Sequence, residues 1–152
     1  MKPGKVILIC GLPGSGKSTL AKKLELEDGA IRFSPDEWME QMGISLWDGE
    51  AREAIEQRFW LLAQNLALKG VTSILENGFW SKKERDGYLK TAREQGFQIG
   101  LYSLYIPIEE TRKRLEARGM EGDALILEEK LEGYYVSYEQ PDVEELAQYD
   151  NQ

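Results

Sequence analysis

An α/β fold, a small parallel sheet with helices on both faces, follows from three features of the sequence. The first is the apolar run Val6 to Cys10, which reads as a buried parallel strand. The second is what comes directly after it: Gly11-Leu12-Pro13-Gly14-Ser15-Gly16-Lys17-Ser18, then Leu20, Ala21 and Leu24 on one helical face. The third is the order read along the chain, β-α-β-α-α-β-α-β-α-α, which gives parallel strands joined by right-handed helical crossovers. A chain of 152 residues, 41% hydrophobic and 30% charged, is long enough for the core of one soluble domain, and residues 1–152 are read as a single one.

The elements follow in order. Strand one spans about residues 5–10 and helix one about 17–26, closed by the turn Asp28-Gly29. Ala30 to Phe33 is a short second strand. Ser34 then caps a short helix with Pro35 at its first position and Asp36 and Glu37 in its first turn, ending near Met42 and Gly43. Asp48 caps a long helix, about 49–69, whose buried face carries Ala51, Ile55, Phe59, Leu62 and Leu66. Val71 to Leu75 is the third strand, ending in Glu76-Asn77-Gly78-Phe79-Trp80. Ser81-Lys82-Lys83-Glu84 is a capping box opening a helix to about Gln95. Phe97 to Ile106 reads as the fourth strand, and Pro107 opens a helix that Gly119 ends. Gly119 to Asp123 is a short polar loop. A last amphipathic helix carries Leu127, Leu131, Tyr134 or Tyr135, and Tyr138, with Pro141 and an acidic tail after it.

The loop fits G-x-x-x-x-G-K-[ST] at every fixed position, and it sits between a strand and a helix as that motif requires. Its glycines let backbone N–H groups approach phosphate oxygens, and the helix start adds unpaired N–H groups with a partial positive charge. The fold class is therefore the P-loop NTPase three-layer sandwich, with Gly11, Pro13, Gly14, Ser15, Gly16, Lys17, Ser18 and Thr19 expected around a nucleoside triphosphate. Lys17 is expected to reach the β- and γ-phosphates and Ser18 to ligate Mg²⁺. ATP and Mg²⁺ are the expected cofactors; no base-reading motif separates ATP from GTP.

Composition narrows the rest. With no His, imidazole-based acid–base or metal chemistry is excluded for this chain. The net charge of −8 disfavours a nucleic-acid partner, as do residues 139–152, which hold five acids and no base. The single Cys10 permits no intrachain disulfide and reads as a small apolar residue at a strand end. The Val6–Cys10 run is too short for a membrane span or signal core, so no membrane association and a cytoplasmic location are expected.

Ligands of such sheets sit at the carboxyl ends of the strands, which gathers the loop, Ser34 to Glu37, Glu76 to Trp80 and the residues after Ile106. Asp36 could orient a hydroxyl and accept its proton, or could simply stabilise a helix dipole. Glu76 could act on the metal through water, or belong to a strand-end turn. Arg114 and Arg118 share a helix face; they could fold over phosphates, or lie in a solvated face where Glu110 pairs with Arg114. Trp38 and Trp80 follow cleft segments and could wall an acceptor pocket.

With these residues placed, the chain resembles the small P-loop kinase-like ATP-binding group that includes chloramphenicol phosphotransferase, zeta-type toxins and the kinase domain of phage polynucleotide kinase. The likeness spans nearly the whole chain and rests on residues 11–19, Ser-Pro-Asp-Glu-Trp at 34–38, residues 77–85 and Arg-Leu-Glu-Ala-Arg-Gly at 114–119. It implies that Asp36 is the acceptor-activating base and that Arg114 and Arg118 are phosphate and lid residues, Arg118 catalytic. Arg85 matches a frequent arginine of the group without a defined role. Two departures stand out: strand three ends in Glu76 rather than aspartate, and the lid is only the loop near 119–123. No helical subdomain of a hexameric AAA+ motor is present in the pattern. The expected activity is ATP-dependent phosphoryl transfer to a small-molecule hydroxyl, by a monomer or weak homodimer; the alternatives are a polynucleotide 5′-hydroxyl kinase and a slowly hydrolysing regulatory module.

Overall fold

The computed structural model describes residues 3–118 and 128–151. The elements are β1 (Lys5–Cys10), α1 (Lys17–Asp28), β2 (Ile31–Phe33), α2 (Pro35–Gln41), α3 (Gly49–Leu68), β3 (Ser73–Gly78), α4 (Lys82–Gln95), β4 (Gln98–Ser103), α5 (Ile108–Arg118), α6 (Glu128–Ser137) and α7 (Val143–Leu146). The four strands form one parallel sheet in the order β2-β3-β1-β4. The strand that feeds the glycine-rich loop is thus central, flanked by β3 and β4. No helix among the described residues is long and apolar enough to cross a membrane.

Side-chain alternation along β1 divides the core in two. Val6, Leu8 and Cys10 face a large cluster with Phe59, Ala63 and Ala67 of α3, Ala92 of α4, and Ile99 and Leu101 of β4. Ile7 and Ile9 face a smaller one with Ala21 and Leu24 of α1 and Ile74 of β3. Helices on both faces make the three layers.

The helix starts agree with the capping chemistry. Ser34 Oγ accepts from Glu37 N at 3.3 Å, Asp48 from Ala51 N at 3.0 Å, and Ser81 from Glu84 N at 3.1 Å. Two strands differ from the sequence reading. The fourth was expected over Phe97 to Ile106, yet β4 ends at Ser103, because its partner β1 ends at Cys10 and the last bond is Leu104 N to Cys10 O at 2.8 Å. The third was expected over Val71 to Leu75. Val71 N instead closes the α3 terminus by donating to Leu66 O, and pairing runs on to Gly78 opposite Cys10. The register between Leu8 and Cys10 slips by one residue on β3, a bulge at Glu76 and Asn77.

The acidic tail is also more than a tail. It folds as α7 and then runs along β4: Asp150 accepts from Ile99 N at 3.0 Å and Asn151 accepts from Leu101 N at 2.7 Å. Those contacts cover backbone groups at the β4 edge of the sheet. Glu145 of α7 is buried in a bidentate pair with Arg85 of α4. Arg85 is fully buried, and its third contact goes to Phe79 O at 2.7 Å. The arginine that sequence left without a role therefore ties α4 to α7 and to the segment after β3. The loop near 119–123 lies outside the described residues.

Candidate functional site

One end of the sheet opens into a cavity of about 540 Å³. The glycine-rich loop forms its floor on one side, with Pro13, Gly14, Gly16, Lys17, Ser18 and Thr19 on the surface of the cavity. Gly11 and Ser15 of the same loop do not line it; both are buried, and a Cβ on Gly11 would meet Ser15 Oγ at 2.5 Å. Gly16 is the N-cap of α1 at φ 97°, a left-handed conformation that favours glycine, and it offers no side-chain cap to the helix. By contrast, α2, α3, α4 and α7 each begin with a side chain bonded to a first-turn N–H. The α1 N-terminus also carries no acid in its first turn. Open N–H groups and uncompensated positive charge meet at the cavity, which is the physical requirement for holding an anion.

Lys17 folds back over the loop, donating from Nζ to Leu12 O at 3.1 Å. Burial pushes its pKa below the usual lysine value, while the carboxylates of Asp36 and Glu76 pull it back up. Asp36 stands in the first turn of α2, just after β2, and Glu76 in β3, so three sequence-predicted residues share one electrostatic environment. Ser18 Oγ donates to Glu76 Oε1 at 2.8 Å. Arg32 of β2 occupies the other Glu76 oxygen and also pairs with Glu37. The hydroxyl and the carboxylate expected at the metal are thus adjacent. The described residues hold no set of three His, Cys, Asp or Glu side chains able to hold a metal alone.

Asp36 lines the cavity at the first turn of α2 and is well exposed, with its carboxylate 2.8 Å from Arg52 Nη1. Arg52 escaped the sequence reading. The signal was available: a base in the first turn and a half of α3 opposes the helix dipole, which calls for a compensating contact. Arg52 finds one in Asp36 and a second in Leu46 O at 3.1 Å. Arg114 of α5 reaches back to the loop, donating to Gly14 O at 3.3 Å, and also meets Glu110 at 3.4 Å, so the loop contact and the helical pair coexist. The Arg118 side chain lies outside the described residues.

Beyond the loop the lining includes Leu46, Trp47, Asn77, Phe79, Trp80 and Tyr134, with Glu40 and Glu84. Trp80 is at the cavity as expected. Trp38 is not; it packs edge-on against Phe59 at 5.0 Å, and Trp47 takes the position at the wall. Phe79 is buried at φ 48°, unusual for a side chain of its size, directly after Gly78 at φ 91°. Its carbonyl is held by Arg85 and by Cys10 Sγ at 3.3 Å, and Cys10 Sγ is 3.0 Å from Tyr138 Oη. Cys10 is therefore a buried link behind the loop, and burial raises its thiol pKa.

The fold recurs in solved structures. A chain of the Pnkp1/Rnl/Hen1 RNA repair complex superposes with a TM-score of 0.75 at 23% identity, covering 90% of this chain and 44% of that one. A gluconokinase from Sinorhizobium meliloti gives 0.67 at 19% identity, covering 95% and 80%. The APS kinase of Mycobacterium tuberculosis, solved in complex with AMPPNP and APS, gives 0.62 at 21% identity, covering 80% and 78%. The chain spans under half the length of the RNA repair chain it resembles, and at these identities the likeness is one of fold. Among curated proteins, none matches the chain. A family model described as an AAA domain matches residues 6–141, and this P-loop, kinase-like chain belongs to that family.

Proposed function

We propose that the protein transfers the γ-phosphate of ATP to a hydroxyl group of a small molecule. The observation that carries this reading is the convergence of Lys17, Asp36 and Glu76 on one cavity that is also lined by the aromatic side chains of Trp47, Phe79, Trp80 and Tyr134. The cavity of about 540 Å³ also takes the triphosphate at the glycine-rich loop, so what favours an organic acceptor over water is the lining beyond the loop, with Trp47, Phe79, Trp80 and Tyr134.

The residues fit a magnesium-nucleotide. The uncapped α1 N-terminus and Lys17 supply donors for phosphate oxygens. Ser18 and Glu76, already bonded to each other, would hold Mg²⁺ together with the phosphates and ordered water. Mg²⁺ supplies charge neutralisation at the β- and γ-phosphates. Asp36 would hold the acceptor hydroxyl and take its proton as the acceptor oxygen bonds to the γ-phosphorus; the bond from that phosphorus to the β-phosphate oxygen breaks, and ADP leaves. Arg114, anchored at Gly14 O, steadies the loop beneath the phosphates. Arg118, on the same helix, is the proposed partner for charge that grows during transfer, and Arg118→Ala should slow turnover by on the order of 10³-fold.

The test is a screen of hydroxylated metabolites with γ-labelled ATP, followed by Lys17→Ala. Transfer of label to an organic acceptor that Lys17→Ala abolishes would support the reading. Release of inorganic phosphate alone would replace it with a hydrolytic one.

A further inference from the structure

The Glu76 side chain is only 3% exposed, and each of its oxygens has a partner. Oε1 accepts the Ser18 hydroxyl at 2.8 Å, and Oε2 accepts from Arg32 Nη1. Arg32 is the middle residue of β2. The register pairs it with Ile74, and side chains alternate along β3, so Glu76, two residues on, shares its face of the sheet. That is the face α1 covers, where Ala21 and Leu24 pack with Ile74. A half-buried cation there needs partners, and Arg32 has three: Glu76, Glu37 at the other Nη, and Glu25 of α1 at 3.9 Å from Nε. The planar guanidinium fork lets one side chain hold Glu76 and Glu37 at once.

Stability alone does not account for this arrangement. A buried ion pair is often no more stabilising than apolar side chains of the same volume. Nor is this pair closed on itself. It continues through Oε1 to Ser18, the second residue of α1, which lines the cavity. A serine hydroxyl has one proton to donate and two lone pairs. With the proton committed to Glu76, the lone pairs are left for a ligand. Whatever fixes the carboxylate therefore fixes the hydroxyl, and Arg32 fixes the carboxylate. Arg32 does not itself line the cavity, so it acts through Glu76.

We propose that Arg32 is a positioning residue for the metal side of the site: it holds Glu76 so that Ser18 presents its hydroxyl oxygen to the divalent cation of a bound nucleotide. This rests on the magnesium-nucleotide part of the reading above and adds the residue that aligns the serine. Charge alone would act in the opposite direction, since removing a cation near the site should tighten a divalent ion. Positioning and charge thus predict opposite signs for the loss of Arg32.

The experiment uses the full chain with ADP, and Mn²⁺ as the probe ion. The Mn²⁺ dissociation constant is read from the electron paramagnetic resonance signal of the free ion, and ADP affinity without metal by calorimetry in EDTA. Neither readout needs phosphoryl transfer. Arg32→Gln should weaken Mn²⁺ in the ADP complex by about 10–100-fold, the usual effect of removing a partner behind a metal ligand, and leave metal-free ADP affinity unchanged. Arg32→Lys keeps a cation for buried Glu76 and so protects the fold. It should weaken Mn²⁺ by a smaller factor, because a point charge lacks the fork. In a Ser18→Ala background Arg32→Gln should cost far less, since the hydroxyl it aligns is gone. Unchanged or tighter Mn²⁺ in whichever Arg32 variant folds overturns the proposal, as does an equal loss in both backgrounds, or a wild-type ADP complex that holds no Mn²⁺. The expected Mn²⁺ losses in a protein that never passes label from γ-labelled ATP to an organic acceptor would refute the kinase reading and leave the role of Arg32 standing. Transfer by a wild type whose Arg32 variants hold Mn²⁺ equally well would do the reverse.

Discussion

Asp36 owes its position to two neighbours. Ser34 and Pro35 fix the start of α2 at the carboxyl end of β2, and Arg52 then holds the carboxylate from the opposite helix. Asp36→Asn keeps the shape and can still orient a hydroxyl, but it cannot accept a proton. It should lower transfer by about 10²–10⁴-fold, with nucleotide affinity retained. Wild-type transfer in both Asp36→Asn and Asp36→Ala would make Asp36 a helix-dipole acid. Arg52→Gln, which frees the carboxylate, should change the acceptor KM more than nucleotide affinity; an unchanged KM would confine Arg52 to anchoring the Leu46 carbonyl. At this scale the sequence was legible where residue type and local position coincide: Lys17 and Ser18 in the loop, Asp36 in a first turn, Glu76 at a strand end. It was silent on Arg52 and Trp47, whose roles come from what stands across the cavity, and it misplaced Trp38, whose apolar ring packs on Phe59.

At the level of elements, helix starts were readable because a cap is a contact between residues three apart. Asp48, Ser34 and Ser81 were each placed correctly. The bounds of β1 and the end of β2 were readable from the turn residues after them, but those of β3 and β4 were not, because a parallel strand stops where its neighbour stops: β4 ends with β1, and β3 begins only once the α3 terminus has been closed. The tail shows the same limit. Its acids look like free charge in the sequence, yet Glu145 and Asp150 bind Arg85 and Arg93 more than fifty residues away. The Arg85–Glu145 pair offers a direct check. Removing one partner leaves a buried charge alone, so Glu145→Gln should cost about 3–5 kcal/mol in urea unfolding. Replacing both with Met and Leu should recover much of that. Wild-type stability in Glu145→Gln would mean that α7 contributes little to the fold. Because Arg85 also holds Phe79 O, the single variant should weaken acceptor binding before it weakens nucleotide binding.

In the whole molecule, one central strand delivers the phosphate loop, and its two core faces hold α1 on one side and α3 and α4 on the other. The site is built at the carboxyl end of that sheet from residues that are far apart in sequence. Lys17→Ala should therefore leave the circular dichroism and unfolding midpoint close to wild type, while tight triphosphate binding measured by calorimetry is lost. Equal affinity in the two proteins would remove the loop from the mechanism. The central claim, phosphoryl transfer to an organic hydroxyl, is tested most directly by following the label from γ-³²P-ATP into products and identifying the labelled species by mass. The expected product is a phosphate monoester of a small hydroxylated molecule, formed with one ADP per ester and absent in Lys17→Ala. Label found only in inorganic phosphate, at the same rate with and without any acceptor, would contradict it.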